Sequence, residues 1–180
     1  GKHKKQDHTG MRTICSTGRP LGPKGFAHVH TDWKTDVHLA SISGGSDLCG
    51  CLVGGQPTGP VHAGRIQGPM LGMDIDVVDE EGCSVEPGTR GELVCRSTFT
   101  SMPLGFWDDP DDRRYHAAYF DRFAGLWHQG DFAERTAEGG FMILALIHIS
   151  EPTRPERMSY AVFCLKKKIR KTCFSKHQLK

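Results

Sequence analysis

The sequence predicts an α/β fold in which a strand–helix–strand (βαβ) segment precedes a small β-barrel-like subdomain. Two observations lead to this fold class. Apolar residues recur at strand, then helical, then strand spacing between residues 11 and 47. After residue 72, short alternating runs are separated by turn residues at the spacing typical of a barrel or sandwich. The predicted divisions are an α/β segment over 1–64, a β-rich subdomain over 65–145 and a tail over 146–180.

The βαβ segment is predicted from three consecutive runs. Residues 11–16 resemble a short strand, and residues 21–33 resemble a helix with Pro23 in its first turn. Residues 37–47 begin as a second strand and are expected to break at a turn formed by Gly44 and Gly45. Strands that flank a helix in this way usually pair in parallel.

The second half of the chain predicts several antiparallel strands and one helix. Residues 73–78 alternate apolar and acidic side chains, as in a strand with one face in solvent. Further strands are expected at 91–95, at 126–132 with a turn at Gly130, and at 141–146. Residues 108–119 predict an acidic, solvent-exposed helix capped by Asp108 or Asp109.

Composition favours a cytoplasmic, non-membrane protein. Of 180 residues, 37% are hydrophobic, and the mean hydropathy is −0.42. The longest apolar run is far shorter than the ~20 residues of a membrane helix, and the N-terminus lacks a secretory signal. The seven cysteines are odd in number and contain no CxxC pair, so we expect reduced, mostly buried thiols rather than disulfides or structural zinc.

Positive charge is concentrated at the C-terminal end. Residues 1–150 carry 14 Lys and Arg against 19 Asp and Glu, whereas residues 151–180 carry 9 against 2. A basic run at 166–171 is compatible with a nucleic-acid-binding arm. No aromatic stacking pattern accompanies it, which favours a disordered or foreign tail and no nucleic-acid partner.

Residues 43–47, Ser-Gly-Gly-Ser-Asp, form the candidate site with the clearest chemistry. Glycines let a phosphate approach the backbone, the Ser46 hydroxyl can donate to its oxygens, and the Asp47 carboxylate can hold Mg²⁺. The alternative is an ordinary strand-to-helix turn with Ser46 as the helix N-cap.

Four motifs occur together in the order and spacing of one family. They are the runs TGRPL at 17–21, SGGSD at 43–47, GELV at 91–94 and GD at 130–131. Together they resemble the adenylate-forming acyl-CoA synthetases. The longer runs around them, over residues 11–144, are similar to the branch of that family that activates acetoacetate.

The resemblance implies an acid–thiol ligase of lipid and ketone-body metabolism that uses ATP, Mg²⁺ and CoA. ATP and a carboxylate would form an acyl-adenylate, which the CoA thiol then attacks. Gly18, Arg19 and Pro20 would lie against the adenine, and Asp131 would accept the ribose hydroxyls. These positions imply small-molecule substrates and no membrane partner.

The same resemblance assigns the phosphate and acyl groups to residues 44–47. Ser46 would contact the α-phosphate beside Gly45, and Asp47 would hold Mg²⁺. Gly44 takes the place of a tryptophan that closes the acyl pocket in related acetyl-CoA synthetases, so it would leave room for acetoacetate. The alternative is that Gly44 serves only the local turn.

Several family features do not occur in this sequence. They are the Gly/Ser/Thr-rich phosphate loop, the Gly-Arg-Ser-Asp hinge and the lysine of the small C-terminal domain. We therefore expect an internal fragment that is inactive alone, and the alternative function is nucleotide binding without catalysis. Oligomeric state is left open. Of the remaining candidates, His128 is expected at the surface and Glu92 in a structural role.

Overall fold

Residues 8–144 are described by the computed structural model, and their strands form three separate sheets. The predicted basic tail over 146–180 lies outside the described residues, as do residues 1–7. Within the described range, no helix is both long and apolar enough to cross a lipid bilayer. The proposed division near residue 64 remains a prediction.

The first sheet pairs β1 (Thr13–Ser16) with β2 (His38–Ser41) in parallel. Between them lie α1 (Pro23–His28), which has proline in its first turn, and a π-helical segment, Val29–Trp33. This segment packs its apolar residues into a small core that contains Phe26, Val29, Val37 and Leu39. Because the two strands run the same way, the loop after β1 and the chain after β2 leave from the same edge of the sheet.

The second sheet places the candidate glycines differently from the prediction. It is antiparallel and consists of β3 (Ser43–Gly45), β4 (Gly50–Gly54) and β5 (Gly68–Pro69). The predicted turn at Gly44 and Gly45 is therefore wrong, because both glycines pair with β4. The turn falls at residues 46–49, where Leu48 is fully buried. No helix follows Ser46, so the N-cap interpretation is wrong as well.

The third sheet is an antiparallel meander of β6 (Ile75–Val78), β7 (Arg90–Cys95), β8 (Trp127–Arg135) and β9 (Phe141–Leu144). Within the described residues β6 and β9 are not neighbours, so the sheet is open and does not close into a barrel. Its inner face carries the main core, which includes Val77, Leu93, Trp127 and Phe141.

The second helix packs against this sheet and is not the solvated helix that its acidic start predicts. α2 (Arg113–Tyr119) buries Tyr115 and Tyr119, each 7% exposed, against Trp127. It also begins later than predicted. The Asp109 carboxylate nevertheless accepts hydrogen bonds from the backbone N–H groups of Arg114 and Tyr115, so it satisfies donors of the first turn.

Asp76 in β6 is buried, although the alternating pattern predicts an acidic face in solvent. It is 6% exposed and pairs with Arg96 at 2.7 Å and with Arg135 at 3.4 Å, while Ser84 donates a further hydrogen bond. Burial by itself raises the pKa of Asp76, but the hydrogen bonds from Ser84 and Arg96 outweigh it and hold the pKa below the usual range.

The cysteines also differ from expectation. Cys15, Cys49 and Cys83 are exposed, Cys51 is half-buried and only Cys95 is buried among the five free cysteines of the described range. Among the cysteines of residues 8–144 the prediction of mostly buried thiols is therefore wrong: Cys15 lies in β1, Cys49 in the turn at 46–49 and Cys83 in the loop after β6.

Replacing Asp76 by asparagine should destabilise the fold by about 1–3 kcal/mol at pH 7, since charge-assisted hydrogen bonds are lost. A carboxyl whose pKa is lowered on folding contributes stability above its unfolded pKa of about 3.9. That contribution disappears as the pH falls through the folded value, so the difference between wild type and D76N should shrink in acid. Urea unfolding of both proteins at pH 7 and at pH 3.5 measures this difference in the free energy of unfolding. The exposed Asp111→Asn is the matched control, and an equal loss in both variants would contradict the assignment.

Candidate functional site

A bulge in β8 positions the carboxylate of Asp131. In the pairing of β7 with β8, Glu92 lies opposite Phe132 and Val94 lies opposite His128, so Leu93 alone faces residues 129–131. Gly130 within this bulge has a φ of 82°, a conformation that glycine adopts without strain. Bulges of this kind redirect side chains next to functional sites. Here the extra residues present Gln129 and Asp131 beside the regular ladder.

The surroundings of Asp131 are strongly acidic. Gln129 Nε2 donates to Asp131 Oδ2 at 2.8 Å. Burial raises the pKa of Asp131 despite this hydrogen bond, and the negative charges of Glu92 and Asp47 raise it further. Asp47, in the turn between β3 and β4, is thus one of the charges that act on Asp131.

The turn at residues 46–49 contacts α2 and lies beside the bulge. The hydroxyl of Tyr119 donates a hydrogen bond to Asp47 Oδ2. A Cβ built on Gly45 would lie 2.1 Å from Asp47 Oδ1 and 3.1 Å from Gln129 Oε1, so both oxygens flank the same point of the backbone. The turn and the bulge thus form one site, in which Ser46 is exposed immediately beside Asp47.

The remaining predicted residues lie at the edge of the first sheet. Gly18, Arg19 and Pro20 are exposed in the loop that follows β1. The last ladder contact at this edge is the hydrogen bond from Ile42 N to Ser16 O, one residue before β3 begins. The loop therefore leaves the sheet next to the strand that leads to Asp47. Its relation to Asp131 remains a prediction.

A buried charged cluster supports the same strands. Glu92 is 2% exposed, forms an ion pair with Arg122 and accepts a hydrogen bond from His128 Nδ1 at 2.9 Å. His128 is 3% exposed, so the prediction of a surface histidine is wrong. Its position opposite Val94 in the ladder turns the ring into the protein rather than toward solvent.

Comparison with known proteins identifies the family. The chain is 53% identical over 137 residues to the acetoacetyl-coenzyme A synthetase of Rhizobium meliloti, a match that covers 76% of this chain and 21% of the relative. It is 40% identical to the acetoacetyl-CoA synthetase of Xenopus tropicalis, covering 74% of this chain and 20% of that protein. The solved acetoacetyl-CoA synthetase from Streptomyces lividans superposes with a TM-score of 0.68 and 41% identity, covering 73% of this chain and 21% of that one.

The chain is an acetoacetyl-CoA synthetase homologue. It spans about a fifth of the length of the relatives that it matches. No protein-family model matches it. The predicted resemblance to an adenylate-forming acyl-CoA synthetase of the acetoacetate branch is confirmed at the level of the family.

Gly44 has a structural reason to be glycine in this synthetase homologue. A Cβ at this position would lie 2.3 Å from the carbonyl oxygen of Gly50 and 2.5 Å from Cα of Cys51, both backbone atoms of β4. The strands approach so closely here that a side chain would force them apart. The implied role of Gly44 in the acyl pocket remains a prediction.

The donor set of the site fits a cation that arrives with a nucleotide. Asp47 and Asp131 offer oxygen atoms, and the buried Gln129 Oε1 has no hydrogen-bond partner. Mg²⁺ at nucleotide sites is held by one or two carboxylates together with phosphate oxygens. Within residues 8–144 no group of three His, Cys, Asp or Glu side chains is arranged to hold a metal ion.

Two residues of the site were missing from the sequence prediction. Tyr119 contacts Asp47 and Gln129 contacts Asp131; neither belongs to the four short motifs, although both lie within the longer runs that carry the resemblance. A signal for Tyr119 exists, because Tyr115 and Tyr119 are four residues apart and share one helical face. No pattern in the sequence singles out Gln129.

The burial of Asp131, together with its acidic neighbours Glu92 and Asp47, predicts a stabilised D131N variant. A carboxyl with a raised folded pKa is protonated more readily in the folded chain than in the unfolded chain. Stability therefore falls as the pH rises from the unfolded value of about 3.9 through the folded value. D131N should lack this fall, so its melting temperature should exceed that of wild type at pH 7 by more than at pH 4. Scanning calorimetry at both values tests this; a lower melting temperature for D131N at pH 7 would contradict it.

Replacing Gly44 by alanine should destabilise the chain by about 1–3 kcal/mol, because the added methyl group overpacks the backbone of β4. Gly22→Ala is the matched control: Gly22 has a φ of −71° and nothing within 4 Å of a built Cβ. Urea unfolding of both variants gives the comparison. Equal stability of G44A and G22A would show that the two strands separate more easily than the contacts indicate.

Proposed function

We propose that residues 8–144 supply part of the nucleotide site of an ATP-dependent ligase that joins acetoacetate to CoA through an acyl-adenylate. The observation that carries this proposal is the series of contacts that joins the turn of Asp47 to Asp131: Asp47 Oδ1 and Gln129 Oε1 flank the backbone of Gly45, and Gln129 Nε2 donates to Asp131 Oδ2. The relatives of the chain are acetoacetyl-CoA synthetases by name, which supports the same reaction.

Each polar group has a distinct task in this proposal. The Asp131 carboxylate accepts hydrogen bonds from the ribose hydroxyls, and the bulge fixes its direction. The exposed Ser46 hydroxyl donates to the α-phosphate, beside the backbone of Gly45. Asp47 holds Mg²⁺, which when bound offsets the charge of the phosphates. Gly18, Arg19 and Pro20 line the adenine at the adjacent sheet edge.

The proposed reaction has two steps. Acetoacetate attacks the α-phosphorus of ATP and releases pyrophosphate, and the sulfur of CoA then attacks the acyl carbon and releases AMP. Phosphoryl chemistry of this type depends mainly on positioning and charge stabilisation. The described residues can contribute to both, since they present carboxylates and a hydroxyl on rigid strands and on one tight turn.

We propose further that this 180-residue polypeptide binds nucleotide without forming acetoacetyl-CoA by itself. The phosphate loop, the hinge motif and the lysine that the family uses are not found in this sequence. Fewer charges would then stabilise the transition state. A cytoplasmic setting is proposed because the five cysteines of the described range are free thiols.

Calorimetric titration tests the nucleotide site. Wild type should bind AMP in the presence of Mg²⁺, and D131N should bind at least about tenfold more weakly, because one charged acceptor is lost. The matched control is Asp111→Asn, which removes an exposed carboxylate outside the site. The same preparation is assayed for acetoacetyl-CoA with ATP, acetoacetate and CoA.

Three results would count against the proposal. An absence of AMP binding by wild type at millimolar concentration would remove the nucleotide site. Equal weakening by D131N and D111N would remove Asp131 from it. Measurable acetoacetyl-CoA formation would contradict the inactivity of the isolated chain while leaving the proposed reaction intact.

A further inference from the structure

Tyr119 connects three segments that are distant in sequence. It lies in the last position of α2 and is 7% exposed. Its ring stacks on Trp127, the first residue of β8, with centroids 3.8 Å apart and planes 12° apart. Its hydroxyl donates to Asp47 in the turn between β3 and β4. The helix, the turn and the strand that carries Asp131 therefore meet at one side chain.

This contact limits the freedom of Asp47. The Asp47 side chain lies in an exposed turn, where a free carboxylate would sample several rotamers. The phenol holds Oδ2, while Oδ1 lies against Gly45 on the side of Gln129 Oε1. That neighbouring oxygen is itself buried and without a hydrogen-bond partner. Oxygen acceptors and nearby negative charge make this side of Asp47 suited to a cation.

We propose that Tyr119 is a positioning residue that holds Asp47 so that its free oxygen receives the Mg²⁺ accompanying the nucleotide. This inference rests on the proposed function and assigns to it a residue that touches neither nucleotide nor metal. The stack on Trp127 fixes the ring of Tyr119, and the hydroxyl of Tyr119 holds the carboxylate of Asp47. Removing only the hydroxyl should therefore weaken the metal-dependent part of binding and leave the rest.

The test compares Tyr119→Phe with Tyr115→Phe. Tyr115 lies in the same helix, is equally buried and donates its hydroxyl to the Pro103 carbonyl at 2.6 Å. ATP binding to the full chain is titrated by calorimetry, once with excess Mg²⁺ and once with EDTA. For Y119F we expect the dissociation constant to rise about tenfold with Mg²⁺ and to stay unchanged with EDTA. Y115F should change neither value.

The same substitution made in the Asp47→Asn protein separates a positioning role of Tyr119 from a role in folding. In Asp47→Asn, adding Y119F should cause no further loss of Mg²⁺-dependent affinity, because the carboxylate that it orients is gone. Equal weakening of Y119F with Mg²⁺ and with EDTA, an unchanged affinity, or a further loss in the D47N background would each overturn the proposal. Wild type that binds no ATP under either condition would instead refute the nucleotide site itself.

Discussion

The pairing of β8 with its two neighbours is the constraint on which the candidate site depends. One edge of β8 is paired with β7 on both sides of the bulge, and the other edge is paired with β9 from Phe132 to Arg135, so the backbone on either side of the bulge has little freedom. The two residues added at the bulge cannot be absorbed along the strand and must leave the ladder. Trp127 and His128 precede the bulge and are buried, and Asp131 emerges from it. The position of the carboxylate is thus set by the sheet rather than by a loop.

The negative charge of Asp131 destabilises the fold, whereas the same charge favours the binding of a ligand. Glu92 is paired with Arg122 and hydrogen-bonded to His128, whereas Asp131 has a neutral amide as its hydrogen-bond donor. Asp76, elsewhere in the same sheet, shows the opposite arrangement, with two arginines around one carboxylate. The contrast fits a division of roles: one buried acid completes the fold, and the other retains unsatisfied capacity for a ligand.

Much of the fold could be predicted because it follows local periodicity. The β1–α1–β2 elements and the strands β6, β7, β8 and β9 coincide with apolar runs bounded by glycine and proline. The errors arose where tertiary contacts decide. Gly44 and Gly45 resemble turn residues, yet both pair with β4, and at Gly44 that strand lies too close for a side chain. The acidic residues before α2 predict a solvent-exposed helix, whereas Tyr115 and Tyr119 on one face of it are buried.

Only those residues of the site that belong to sequence motifs could be predicted. Asp47 and Asp131 were selected by resemblance, but nothing in the sequence indicates that Tyr119 joins Asp47 to the strand that carries Asp131. A contact across two sheets depends on packing, which no local pattern encodes.

The burial of Trp127 gives this chain a built-in optical reporter. Trp107 is 96% exposed and Trp33 is 49% exposed, whereas Trp127 is 1% exposed and stacked on the tyrosine that holds Asp47. An aqueous quencher such as iodide would suppress the emission of the two accessible indoles and spare the third. The residual fluorescence would then come from Trp127, the ring beside the bulge, so that binding at the candidate site could be followed without attaching a dye.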